Sequence, residues 1–353
     1  MKIIFFSSSS TSSGGTRQAL YTLEFLSKLG HEGVFIVPSG STIINKSTKI
    51  RWVQLPENKK KWKKFFFNFL RDFKPDVIHA YHNKAVKKIA WWSLFFKNKV
   101  KPVVLTHRGV VFRPSNPLPY WSPGIDCITA NSYACAQKLH QLGVPKRKLK
   151  VIYNCLPLNR IQAQHTPEEI LNELGIKQDK IVIGSIAGDS AVKGVSILLE
   201  AVFILRDLPI EVLILGATQK WRKRCRELRI DNIVHLLGHK ENIADYLQIM
   251  DIFCIPSLSE SMPNTLLEAI FAGLPIVSSK VGGIPEVLEG RGFLFKPGDF
   301  KQLALYLEQL ITSESLREEI KSKIIPLQKL FLPEVKTQKL LNIYKELLQK
   351  NNG

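Results

Sequence analysis

Short apolar runs, each followed by a segment of helical period, recur along the whole chain. This alternation constrains the fold more than any other feature of the sequence. The first run covers residues 2–6. A serine-rich loop, Ser7 to Ser13, then ends in Gly14-Gly15, and from Thr16 the spacing of Leu20, Leu23 and Leu26 predicts one helix face closed by Gly30. Val34–Val37, Asp76–Ala80, Pro102–Thr106, Asp126–Ala130 and Lys150–Asn154 read as further strands. A second cycle opens at Ile181–Ser185 and continues through Glu211–Leu215, Ile233–Leu236, Ile252–Ile255 and Pro275–Ser278. Strands this apolar, alternating with helices, belong to βαβ units of parallel sheets covered on both faces. The 353 residues exceed one ordinary core. The expected organisation is α/β with two Rossmann-like, doubly wound domains: residues 1–160, a polar linker over 161–179 with a short helix from Pro167 to Leu174, and residues 180–332. An amphipathic helix over 333–350 follows, with Leu340, Leu341, Tyr344, Leu347 and Leu348 apolar.

Charge divides along the same line. Residues 1–178 hold 28 Lys and Arg against 9 Asp and Glu, whereas residues 179–353 hold 22 against 21. Nearly all of the net +20 therefore lies in the first half, which points to an anionic partner for that half. The five cysteines are scattered without a C-x-x-C pair, which fits a reducing cytosol and predicts no metal site. No apolar run approaches the roughly 20 residues that span a bilayer. The apolar start reads as a buried strand rather than a signal peptide.

The densest chemistry lies in Glu260-Ser261-Met262-Pro263-Asn264-Thr265-Leu266-Leu267-Glu268. With a helix beginning at Asn264, Glu260 sits on the preceding loop and Glu268 about one turn inside. Both then stand beside a helix N-terminus that attracts phosphate. Followed by Ala269-Ile270-Phe271-Ala272-Gly273-Leu274-Pro275, the pattern resembles the nucleotide-sugar signature of glycosyltransferase family 4, retaining enzymes of the GT-B fold. The resemblance implies that the two domains face a central cleft, that the second domain binds the donor, and that the last helix crosses back to the first.

By the same resemblance, Glu268 binds the ribose hydroxyls of the nucleotide, a task that suits a carboxylate accepting from two donors. Glu260 stands near the donor sugar, where a carboxylate meets developing positive charge. Lys193, in Lys193-Gly194, matches the lysine of the family's R-x4-K-G motif and neutralises the departing diphosphate. The arginine position of that motif is Gly188 here, so another base such as Arg17 is expected to help. Gly282 and Gly283, in Gly282-Gly283-Ile284-Pro285-Glu286, resemble a loop that lets backbone approach the donor, with Glu286 as a cap. Ser261, Met262, Pro263, Asn264 and Thr265 supply backbone N–H groups and minor contacts.

In the first half, Gly14, Gly15 and Arg17 resemble the family's glycine loop at a helix N-terminus. His107, in Thr106-His107-Arg108-Gly109, matches a position near the reaction centre, suited to proton handling or a phosphate contact. His79, His82 and Arg108 are the acceptor-facing candidates. No metal is expected among the histidines, since no carboxylate accompanies them. Asn154 matches the first residue of an interdomain motif and carries over a hinge role only.

The segment Asn58 to Arg71 interleaves five lysines with five aromatics, and Trp91 to Lys97 extends its character. Such a mixture suits a helix lying on an anionic bilayer. The reading is therefore a cytoplasmic glycosyltransferase, peripheral on the inner face of the cytoplasmic membrane. It transfers a sugar from a nucleotide-diphosphate donor to a lipid-linked or phosphorylated glycan, as in bacterial lipopolysaccharide or surface-polysaccharide synthesis, with no cofactor. A nucleotide-sugar epimerase of the same fold is one alternative, but it needs first-domain carboxylates, of which this chain has few. A basic nucleic-acid- or membrane-binding protein without transferase activity is the other. No nucleic-acid motif is present and no nucleic-acid partner is expected.

Overall fold

The computed structural model describes residues 1–352 apart from 12 and 101, and only the backbone of residues 45, 97–100 and 352. Ser12 of the serine-rich loop and the Lys97 side chain thus lie outside the described residues. The chain forms two compact units. One comprises Met1–Cys155 together with the chain from Phe331 onward, the other Leu156–Leu330.

The first unit is built on seven strands: β1 (Lys2–Ser7), β2 (Glu32–Pro38), β3 (Arg51–Leu55), β4 (Val77–Tyr81), β5 (Val103–Arg108), β6 (Cys127–Ala130) and β7 (Leu149–Val151). They pair in parallel in the order β3-β2-β1-β4-β5-β6-β7. One face is covered by the helices Trp62–Phe73 and Asn83–Val100, the other by Gly14–Lys28 and Pro333–Asn352. Leu340, Leu341 and Tyr344 of the last helix are buried beside Leu20, Leu23 and Val103. The second unit has six parallel strands, β8 (Ile181–Ile186), β9 (Ile210–Leu215), β10 (Val234–Gly238), β11 (Ile252–Ile255), β12 (Ile276–Ser279) and β13 (Phe293–Phe295), ordered β10-β9-β8-β11-β12-β13.

Several details differ from the sequence reading. β3 and β13 were not anticipated. β3 is an edge strand with only Leu55 fully buried, and β13 has three residues, so neither leaves a long apolar run. β7 ends at Val151 rather than reaching Asn154. Residues 161–179 are not a free linker but part of the second unit. There Asp245 accepts hydrogen bonds from the Gln164 and His165 backbone and from His165 Nδ1. Thr166 and Glu169 form a capping box, and Ile170 is buried.

The amino-terminal edges of both sheets share one device. Asp76, Asp126 and Asp251 each stand immediately before a strand. Their Oδ2 atoms accept the N–H of Lys2, Val104 and Val182 on the neighbouring strand at 2.7, 2.7 and 2.8 Å. Each aspartate returns its own N–H to the carbonyl of the same residue. These reciprocal pairs satisfy the backbone groups at the strand ends. Asp126→Ala is expected to cost about 1–3 kcal/mol, because it strands the Val104 N–H. Asp126→Asn keeps an acceptor oxygen and should recover most of that loss, as read from urea denaturation midpoints.

Candidate functional site

In the second unit the winding direction reverses between β8 and β11, the place where an open α/β sheet leaves a crevice at its carboxyl edge. The loops leaving these two strands are fastened together. Leu258 N–H donates to the Val192 carbonyl at 2.8 Å. Gly194, at φ +71°, packs so tightly on Pro256 that a Cβ would lie 1.9 Å from its carbonyl oxygen. This contact fixes the turn carrying Lys193, whose Nζ donates to Glu260 Oε1 at 2.7 Å, and Ser257 Oγ donates to the same oxygen at 3.0 Å. Lys193 thus keeps further N–H donors for an oxyanion, while Glu260 Oε2 takes no hydrogen bond among the described residues.

Glycine loop 282–283 packs on the loop that carries Glu260. Gly282, at φ +55°, lies against the backbone of Glu260, where a Cβ would come within 1.8 Å of the carbonyl oxygen. Gly283 N–H donates to the Ser261 carbonyl at 2.6 Å. The two glycines clamp the Glu260 loop, and the Gly283 amide is already occupied. Ser261, Met262 and Pro263 are buried, with Asn264 and Thr265 half-buried at the start of the helix Asn264–Phe271. Glu268 on that helix is only 3% exposed and pairs with Arg160 Nε at 3.4 Å, while Arg160 Nη1 donates to the Glu241 carbonyl. Arg160 escaped the sequence reading because 108 residues separate it from its partner. Gly188 faces open space, where a Cβ would meet nothing within 4 Å.

The first unit reverses its winding between β1 and β4. His82 follows β4 at φ +72°, a region that few side chains other than Asn, Asp and His adopt. Its Nδ1 meets Ser7 Oγ at 3.0 Å and its Nε2 meets Ser13 Oγ at 3.1 Å. Ser13 in turn caps the helix Gly14–Lys28, and Gly15 lies so close to His82 that a Cβ would stand 3.1 Å from Nε2. A cavity of ≈ 310 Å³ opens here, lined among others by Ser13, Gly15, His82, Asn83, His107 and Gly109. Arg17, four residues into the helix, is half-buried, and its Nε has no partner among the described residues. His107 is 8% exposed, its ring stacks on Tyr81 with centroids 5.0 Å apart, and its Nδ1 lies 3.1 Å from Thr129 Oγ1. Burial, and after it the nearby charge of Lys336, hold the pKa of His107 well below the usual histidine range.

Two acceptor-facing expectations are corrected. His79 is fully buried between Tyr344 and Thr129, because position 79 lies inside β4 and points into the core. Arg108 is 3% exposed and spends its guanidinium inside the protein, on Asn83 Oδ1 at 2.7 Å, Tyr120 Oη at 3.0 Å, and the carbonyls of Val110 and Phe112. It braces the loop after β5. In the lysine–aromatic helix Trp62–Phe73, Trp62, Phe66 and Phe73 are core, Phe65, Phe67 and Phe69 pack against it, and the lysines are solvated.

Two outcomes follow. Gly282→Ala should push the Glu260 loop from its place and destabilise the second unit by more than about 1 kcal/mol, since φ and space are both wrong for a side chain, measured by thermal melting. Burial and then Lys336 lower the His79 pKa from 6.5 to about 3. Between those values the unfolded chain holds the extra proton, so stability rises with pH in that window and is lost as pH falls through it. The slope expected from His79 is about 1.4 kcal/mol per pH unit below pH 6, with His107 acting in the same direction. Urea unfolding at pH 7 and pH 5 reads it, and His79→Gln should remove the His79 share of the slope and leave that of His107.

Comparison with known proteins agrees with this architecture. Residues 12–160 match the family model Glycosyltransferase Family 4, and residues 167–325 match Glycosyl transferases group 1. The chain is 27% identical over 201 residues to N-acetyl-alpha-D-glucosaminyl L-malate synthase of Bacillus anthracis, covering 55% of this chain and 52% of that one. It is 27% identical over 198 residues to the lipopolysaccharide core biosynthesis glycosyltransferase LpsE of Rhizobium meliloti, covering 55% and 56%. It therefore spans little more than half the length of these curated relatives. The Anabaena protein Alr3699/HepE, solved in complex with UDP, superposes with a TM-score of 0.86 at 19% identity over 98% of this chain and 100% of that one. The paired family models, each lying on one of the two parallel-sheet units, establish that the chain belongs to glycosyltransferase family 4 and has the two-domain GT-B fold.

Proposed function

We propose that the chain is a retaining hexosyltransferase that takes a sugar from a nucleotide diphosphate and passes it to a lipid-linked or phosphorylated glycan in bacterial surface-polysaccharide assembly. The observation that carries this reading is the Lys193–Glu260 pair at the switch point of the second unit. It joins an ammonium with spare donors to a carboxylate with a spare oxygen. The diphosphate takes the ammonium, without a metal ion. The carboxylate, freed from its lysine, orients sugar hydroxyls and stabilises positive charge at the anomeric carbon. Glu268, held by Arg160, receives the ribose. A relative named as a lipopolysaccharide core biosynthesis glycosyltransferase, and a structural neighbour solved with UDP, support the same assignment.

The test is nucleoside-diphosphate release from a panel of nucleotide sugars. One donor should turn over, and Glu260→Ala and Lys193→Ala should each lower kcat by on the order of a hundredfold. A wild-type protein that neither turns over nor binds any nucleoside diphosphate in a thermal-shift assay sinks the reading.

The first unit is assigned to the acceptor and to an anionic membrane face. No helix among the described residues is long and apolar enough to cross a membrane. Among the exposed aromatics of the first unit, Trp91 and Phe95 are 54% and 59% exposed, with Lys63 Nζ 4.5 Å from the Phe95 ring. Such a pairing of exposed rings with lysines suits an anionic interface. Co-sedimentation should favour phosphatidylglycerol over phosphatidylcholine vesicles, weaken in salt, and fall in a Trp91→Ala, Phe95→Ala double variant. Equal binding to both vesicles counts against it.

A further inference from the structure

Behind the cavity of the first unit lies a line of four side chains that no part of the donor chemistry uses. Tyr344 Oη is 2.9 Å from His79 Nδ1, and His79 Nε2 is 3.1 Å from Thr129 Oγ1. His107 Nδ1 is 3.1 Å from that same hydroxyl, which also lies 3.3 Å from the Thr106 carbonyl. Tyr344, His79 and Thr129 are fully buried, so the groups must satisfy one another.

Counting protons decides their direction. A carbonyl only accepts, a threonine hydroxyl has one proton, and a neutral imidazole has one N–H. The Thr129 proton therefore goes to the Thr106 carbonyl, and both imidazoles donate to Thr129, His79 through Nε2–H and His107 through Nδ1–H. His79 Nδ1 is then bare and accepts from Tyr344 Oη. Each of the four contacts now holds one proton. Turning the threonine toward either histidine leaves the Thr106 contact with none. The rings are neutral, His79 with its pKa lowered to about 3 and His107 shifted the same way, chiefly by burial.

We propose that this line fixes His107 as the Nδ1–H tautomer and presents a bare Nε2 to the cavity, making His107 an acceptor for a substrate hydroxyl rather than a donor to a phosphate oxygen. Thr129, His79 and Tyr344 are positioning residues. Tyr344 reaches the line from the last helix, which makes the carboxyl-terminal segment of the chain part of the machinery that sets the cavity's chemistry. A hydroxylated acceptor is recognised at Nε2, and an anionic group on that acceptor must be met elsewhere in the unit.

The test needs no substrate. Protein labelled with ¹⁵N-histidine is observed by long-range ¹H–¹⁵N correlation at pH 7, where protonated and bare ring nitrogens resonate far apart, and His107→Asn identifies the signals. Nδ1 protonated with Nε2 bare is expected. Nε2 protonated, or a pair of averaged signals, overturns the proposal. In Thr129→Val the single-tautomer pattern should be lost, and in Thr129→Ser it should be kept. A valine variant with the wild-type pattern also overturns it. The activity arm rests on the transferase reading above: Thr129→Val should lower kcat by on the order of tenfold or more, with donor KM unchanged and serine restoring the rate. A correct tautomer in a protein that transfers no sugar removes the transferase reading and leaves the assignment of His107 standing.

Discussion

Both units depend on one constraint, the reversal of winding at the β1/β4 and β8/β11 neighbours. Where successive connections run to opposite sides of a parallel sheet, two adjacent strands send their loops apart and leave backbone groups uncovered between them. The two sequences close that gap by different means. In the first unit an imidazole in left-handed backbone conformation ties Ser7 to Ser13 and so sets the start of a helix. In the second, Gly194 and Gly282 let backbone lie against backbone, and an ion pair spans the seam.

Much of the architecture was legible because a parallel sheet with both faces covered demands runs of consecutive apolar residues. β1, β2, β4, β5 and β8 to β12 announce themselves in this way. β3 does not, because Arg51-Trp52-Val53-Gln54-Leu55 lies at an edge and only half of it meets the core. The boundary of the second unit was misplaced for a related reason. The stretch after Cys155 is polar, yet it is tied down by Asp245, an anchor some 80 residues further along the chain.

At the sites, residue type was readable and orientation was not. The spacing of Glu260 and Glu268 about a helix start could be read from order alone. Whether a histidine or arginine at a strand end looks outward depends on which neighbours arrive from elsewhere. His79 is turned inward by Tyr344, 265 residues away, and Arg108 by Asn83 and Tyr120. The phenylalanines of the helix Trp62–Phe73 looked like a surface device because lysines surround them in sequence, but around the helix the two kinds separate, apolar side down.

The aspartates that open β4, β6 and β11 give the sheets a built-in polarity of tolerance. Each closes its strand end with a two-way pair to the adjacent strand, so that edge is self-contained and asks nothing of the loops opposite. The carboxyl edges are then free to exchange loops, and with them substrates, without disturbing the register of the strands beneath. For anyone recombining members of such a family, Asp76, Asp126 and Asp251 mark seams to leave uncut, and the segments leaving β1 and β4, or β8 and β11, must travel as tied pairs.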